Sequence, residues 1–261
     1  MRLEIKNATL GYYGKAVLKD VNLELSTGRT TCIIGRNGVG KTTLFKSILG
    51  ILPLLQGEIL LDGKSAPVWN RRAFARIVAY VPQARSLPFP FTAFDVVLFG
   101  RTAHLQSFSS PGKKDRRIAE ACLERLQISH LKDRIFTQLS GGEQQMVVVA
   151  RALAQQPAFL IMDEPTSNLD FGNQIKIINQ VNQLKNDSLG ILMATHSPDH
   201  AFMCGAEVVV VHREGIWQRG NCNRVITQPV LKEIYGVDVT VCSVPDKLSG
   251  TVRRTCMPVV G

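Results

Sequence analysis

The run Gly35-Arg36-Asn37-Gly38-Val39-Gly40-Lys41-Thr42-Thr43 sets glycines, an ammonium and two hydroxyls at a spacing suited to holding phosphate. Its glycines let backbone N–H groups curl around a β-phosphate, and a helix starting at its end adds a positive pole. In such a loop Lys41 reaches the β- and γ-phosphates and the Thr42 hydroxyl ligates Mg²⁺, while Gly35, Asn37, Gly38, Gly40 and Thr43 complete the cradle. Far downstream, the apolar run Phe159-Leu160-Ile161-Met162 ends in Asp163 and Glu164. Successive strand positions face opposite ways, so neighbouring carboxylates can do different work. Asp163 is suited to holding Mg²⁺, mainly through water, and Glu164 to polarising a water for in-line attack on the γ-phosphorus. A third group, Ser140-Gly141-Gly142-Glu143, opens an apolar helix; its backbone N–H groups and the Ser140 hydroxyl make an anion site.

These groups need rigid elements to place them. The β-branched run 30–34, flanked by Gly28 and Gly35, reads as a buried strand that feeds the phosphate loop and then a helix. Residues 2–10 and 16–25 alternate as strands, 57–63 reads as strand and turn, 71–76 as a helix and 77–81 as a strand ending in Pro82-Gln83. From 84 to 157 the strand pattern recedes. Leu87-Pro88-Phe89-Pro90-Phe91 reads as a rigid linker, and Thr92 as the N-cap of a helix over 93–100. A loop over 107–112, a charged amphipathic helix over 113–127 and a helix over 143–155 follow. Next come a helix over 174–184, a strand over 191–195 ending in His196, and a strand pair over 207–212 and 215–220. Beyond residue 239 no motif is legible, which leaves room for a strand or two or a regulatory appendage.

Composition sets bounds on partners. At 261 residues the chain can bury a large core as one domain with an insertion or as two smaller domains. Net charge is +10, which fits an anionic partner (nucleotide, nucleic acid or an anionic membrane face) as well as simple solubility. The apolar runs are of strand length, far short of a membrane span, and the alternating N-terminus reads as a strand instead of a signal peptide. The six cysteines form no metal-ligand spacing, so thiols in a reducing compartment are expected.

Together the phosphate loop, the Leu139-Ser140-Gly141-Gly142-Glu143 turn, the Asp163-Glu164 pair and the histidine one strand later resemble the ATP-binding subunit of an ABC transporter, over nearly the whole chain. The resemblance implies an α/β fold: a P-loop NTPase (RecA-like) core with an N-terminal antiparallel β subdomain and an inserted α-helical subdomain. It implies a division into an ABC ATPase domain over 1–240, with core 1–83 and 158–240 and insertion 84–157, and a tail over 241–261 of unassigned role. It gives Gln83 a place near Mg²⁺ and the attacking water, His196 a contact to the γ-phosphate, and Ser167 and Asp170 a place in the D-loop; Asn168, Phe171 and Met162 vary from the usual pattern. It places an aromatic on the adenine ring, Tyr12 first and Tyr13 second.

By the same resemblance Ser140, Gly141, Gly142 and Glu143 bind the ATP held by a second copy, in a head-to-tail homodimer. The segment from Phe91 to Arg101, with His104, is similar to the importer branch that takes up metal chelates. An iron–siderophore complex is the first expectation, with haem, vitamin B12 or molybdate behind it. Integral membrane permease subunits contacted through the helical subdomain, a substrate-binding protein acting on the permease and no nucleic acid are the expected partners. The expected location is peripheral, at the cytoplasmic face of the inner membrane. A soluble ABC ATPase of translation, repair or cell division, and an exporter cassette, remain alternatives.

Overall fold

The computed structural model describes residues 1–65, 70–83, 90–106, 109–212, 215–245, 250 and 252–259. In chain order the first elements are β1 (Arg2–Tyr12), β2 (Lys15–Ser26), β3 (Thr30–Ile34), α1 (Lys41–Ile48), β4 (Gln56–Leu61) and β5 (Lys64–Ser65). Then come α2 (Arg71–Ile77), β6 (Val78–Val81), α3 (Ala93–Leu98), α4 (Lys113–Arg125), α5 (Gly141–Ala154), β7 (Phe159–Asp163) and α6 (Phe171–Asn186). The chain continues with β8 (Gly190–Ala194), α7 (Pro198–Cys204), β9 (Glu207–His212), β10 (Gly215–Asn221), α8 (Cys222–Val225) and α9 (Gln228–Tyr235). It closes with β11 (Val239–Pro245) and β12 (Val252–Pro258). Two compact units form: Met1–Ala66 with Gly190–Gly261, and Pro67–Leu189.

In the first unit β1 pairs antiparallel with β2 and β4, as their alternation predicts. Leu3, Ile5, Leu18 and Leu23 face inward from that sheet. A second set runs in the order β10-β9-β3-β8, with β3 parallel to both β8 and β9. Every residue of β3 is buried, the signature of a central parallel strand covered on both faces. The stretch beyond 239 becomes an antiparallel hairpin, β11 against β12, in unbroken register from Val239↔Pro258 to Pro245↔Val252.

The second unit pairs β6 parallel with β7 and packs α3, α4 and α5 against one another. Its helix starts are strongly specified. Thr92 accepts from the Asp95 N–H while Asp95 accepts from the Thr92 N–H, a reciprocal cap at the expected position. α3 ends at Leu98 and tightens into a 3-10 turn over Phe99–His104, short of the expected helix to 100.

Other boundaries shift for physical reasons. α5 begins at Gly141, two residues before the expected start, because Ser140 is its cap. α6 begins at Phe171 because Asp170 caps it, accepting from the Asn173 N–H at 2.8 Å, and it runs on to Asn186. The linker positions 87–89 and the loop positions 107 and 108 lie outside the described residues.

Candidate active site

In the first unit the buried strand β3 delivers the chain into the phosphate loop, and Gly40 caps α1. Gly40 stands at φ 112°, and a β-carbon there would meet Leu18 Cγ at 2.9 Å; glycine alone suits both demands. Lys41 is buried, and its Nζ donates to the Gly35 carbonyl at 2.9 Å and the Arg36 carbonyl at 3.2 Å. The ammonium is thereby pinned to the start of its own loop. Thr42 is exposed and Thr43 is buried. Tyr12 ends β1, whereas Tyr13 is wholly exposed in the following turn at φ 49°. His196 follows β8 on the surface, and the Tyr235 hydroxyl donates to its carbonyl oxygen at 2.9 Å. Beneath it, buried His200 meets the Thr195 hydroxyl through Nδ1 at 2.8 Å, and the Ser197 N–H donates to that same hydroxyl. Burial holds the His200 imidazole below the ordinary histidine range, against a smaller upward pull from Asp199.

In the second unit Asp163 and Glu164 stand at the C-terminal end of β7, where parallel strands commonly present reactive groups. Asp163 is buried and accepts from the Tyr80 hydroxyl at 3.2 Å. Glu164 is half-buried at φ 50°, a left-handed backbone that costs a non-glycine residue energy and clusters at functional sites. The Ser167 hydroxyl donates to the Glu164 carbonyl at 2.8 Å and accepts from Gln83 Nε2 at 3.1 Å. Gln83, Ser167 and Glu164 therefore form one bonded chain.

At α5, Glu143 accepts from the Ser140 N–H and from the Ser140 hydroxyl, each at 2.8 Å, and Arg134 approaches at 3.3 Å. The Ser140 N–H and hydroxyl hold the Glu143 carboxyl below the usual range. Gly142 leaves no room for a β-carbon, which would fall 2.5 Å from the Asn173 side chain.

Residues 18–167 match the family model described as ABC transporter. The chain belongs to the ABC transporter family. It is an ABC ATPase with the expected α/β fold, antiparallel N-terminal sheet and helical region, and it binds ATP. An uncharacterised ABC transporter ATP-binding protein of Haemophilus influenzae is 41% identical over 90% of this chain and 89% of its own. The manganese transport ATP-binding protein MntB of Listeria innocua is 31% identical over 90% of this chain and 96% of its own. The iron(3+)-hydroxamate import ATP-binding protein FhuC of Bacillus subtilis is 30% identical over 93% and 91%. Among solved structures, an inward-facing transporter assigned to the metal-chelate type superposes with TM-score 0.87 at 26% identity, covering 99% of this chain and 97% of that one.

The expected site residues of this ABC ATPase fall on both units. Tyr12, the phosphate loop and His196 belong to the first; Gln83, the Ser140–Glu143 turn, Asp163, Glu164, Ser167 and Asp170 belong to the second. Within the second unit they meet as the Gln83–Ser167–Glu164 chain and the Ser140–Glu143 cap. Asp170 accepts from Asn173 Nδ2 at 2.7 Å, on the same Asn173 that closes over Gly142. Sequence reasoning missed Tyr80, Tyr235 and His200. Tyr80 emerges only from the strand register, which sets it opposite Ile161, two residues before Asp163.

Proposed function

We propose that this chain is the ATP-hydrolysing subunit of an importer for a metal or metal chelate, an iron–siderophore complex first among them. Two copies close head to tail on two ATP molecules, the Ser140–Glu143 turn of each reading the γ-phosphate bound to the other. The observation that supports it most is the bonded chain in which Gln83 donates to the Ser167 hydroxyl and that hydroxyl donates to the Glu164 main-chain carbonyl, linking three of the residues expected at the site.

Glu164 orients and polarises the water, Lys41 neutralises the transferring phosphoryl group, and His196 reads the γ-phosphate from the end of β8. Tyr12, at the end of β1, stacks on adenine. Asp163, the Thr42 hydroxyl and the Gln83 side-chain oxygen would hold Mg²⁺. The set is all oxygen, with the Gln83 amide nitrogen already spent on Ser167, and it suits a hard cation. Once bound there, the cation would supply charge neutralisation for the phosphates.

Among the described residues no helix is long and apolar enough to cross a membrane, so the reading places the pore on separate permease chains. The insertion over 84–157 meets them. Within it Phe99, 44% exposed and held edge-on by Phe91 at a centroid distance of 4.9 Å, offers an apolar contact. A peripheral position at the cytoplasmic membrane face and a substrate-binding protein outside follow from that arrangement. Kinship near 30% with both iron-hydroxamate and manganese systems supports a metal cargo. ATP closes the dimer by binding the closed state more tightly, and hydrolysis reopens it.

The test joins a pull-down to an uptake assay. The tagged protein recovered from membranes brings down a multi-spanning permease. Cells lacking the chain lose uptake of radiolabelled iron–siderophore or manganese, and the wild-type chain restores it where Lys41→Ala does not. Recovery with ribosomes, with DNA or alone, and undiminished uptake of both cargoes, would overturn the importer reading.

A further inference from the structure

Resting on the reading that His196 contacts the γ-phosphate, we propose that Tyr235 and the C-terminal hairpin β11–β12 are positioning elements for that histidine. They hold the segment from His196 to Asp199 at its two ends. The Tyr235 hydroxyl donates to the His196 carbonyl oxygen at 2.9 Å, which restrains the peptide plane leaving the histidine and so the backbone that carries its side chain. Burial pushes the Tyr235 phenol well above its usual range, so it stays a donor at any working pH.

Three residues on, the Asp199 carboxylate in the first turn of α7 accepts the Cys256 N–H of β12 at 2.8 Å. The same strand sets the Arg254 guanidinium 5.5 Å from the Phe202 ring centroid, one turn further along α7, and bonds the Asn223 carbonyl with that guanidinium. His196, Asp199, Leu231, Tyr235, Cys256 and Pro258 face one cleft of about 200 Å³. Burial raises the Cys256 thiol to about 11, so it sits in this contact as a neutral group. The histidine, the helix after it and the last strand of the chain thus form one connected piece. The hairpin presents no nucleotide-binding pattern of its own; its mechanical tie to the segment after β8 is what gives it a role in turnover.

A positioning role predicts effects on rate that pass only through His196. Single-turnover hydrolysis, with enzyme in excess so that slow residual rates stay measurable, is compared with ATP affinity across variants. Tyr235→Phe deletes one hydroxyl and leaves the ring. It is expected to slow hydrolysis about fivefold, the rate equivalent of one ordinary hydrogen bond, with ATP affinity unchanged. Asp199→Ala slows it to a similar degree. In a His196→Ala background Tyr235→Phe has no further effect, because the residue it positions is gone.

A wild-type rate for Tyr235→Phe, or the same fivefold loss in both backgrounds, would overturn the proposal. A silent Asp199→Ala would remove the hairpin's part. Wild-type hydrolysis by His196→Ala would instead remove the γ-phosphate role of His196 itself, an outcome distinct from an additive cycle.

Discussion

Lys41 shows how one side chain is prepared for its work before any ligand chemistry begins. Its ammonium is buried, a state that is costly unless the charge is hydrogen-bonded, and the Gly35 and Arg36 carbonyls supply those bonds. Lys41→Ala removes a point charge from the phosphate cradle and is expected to weaken ATP binding by roughly ten- to a hundredfold, the scale of a charge-assisted bond. Isothermal titration calorimetry reads this directly, with melting temperature as the check on folding; unchanged affinity would remove the phosphate-loop assignment. The loop was legible because its chemistry depends on types and spacing within nine residues. Gln83 and His196 carried no such local signal, since a glutamine or histidine after a strand is ordinary, and only the company of the other motifs drew them in. Tyr80 and Tyr235 were not legible at all. A tyrosine in a strand or helix reads as packing, and its hydroxyl partner is set by strand register or by tertiary contact.

At the scale of elements, capping chemistry decided most boundaries. Thr92 was legible as the cap of α3, whereas Ser140 and Asp170 cap helices that start two and three residues before the expected 143 and 174. The β11–β12 hairpin was left open, as a strand or two or an appendage, because its strands, VTVCSVP and VRRTCMP, mix polar and apolar residues on both faces, leaving no clean alternation.

The short helix α7 carries a pH signature through His200. Its folded-state affinity for a proton is depressed, so the unfolded chain binds the proton first as pH falls. The associated stability is complete above the ordinary histidine value of about 6.5 and is lost as pH falls below it through the depressed folded-state value. Melting temperature is therefore expected to hold steady above neutrality and drop below it, with a shallower drop for His200→Asn. Asp115 and Glu143, whose carboxyls are held low by hydrogen bonds from Arg101 and from Ser140, lose their contributions only in a separate window below about pH 4. An identical slope in the His200 variant would place the acid sensitivity elsewhere.

At the scale of the molecule, the expected site residues belong some to one unit and some to the other, and the turn at Ser140 has its hydroxyl and N–H ordered against Glu143. The chain's own phosphate loop carries its own helix and lysine, so a second anion site on the same chain suits a second nucleotide. The proposed head-to-tail pair would account for that surplus; it was suggested by the family resemblance and not by composition, because a net charge of +10 suits many anionic partners.

The most direct test replaces the proposed water-polarising carboxylate while keeping its shape. Glu164→Gln is mixed with ATP and Mg²⁺, and its mass is followed by light scattering alongside phosphate release. The account predicts a stable species of twice the 28.8 kDa chain mass that retains ATP and releases no phosphate. A monomer at saturating ATP would contradict the closed pair, and hydrolysis at the wild-type rate would contradict the role given to Glu164.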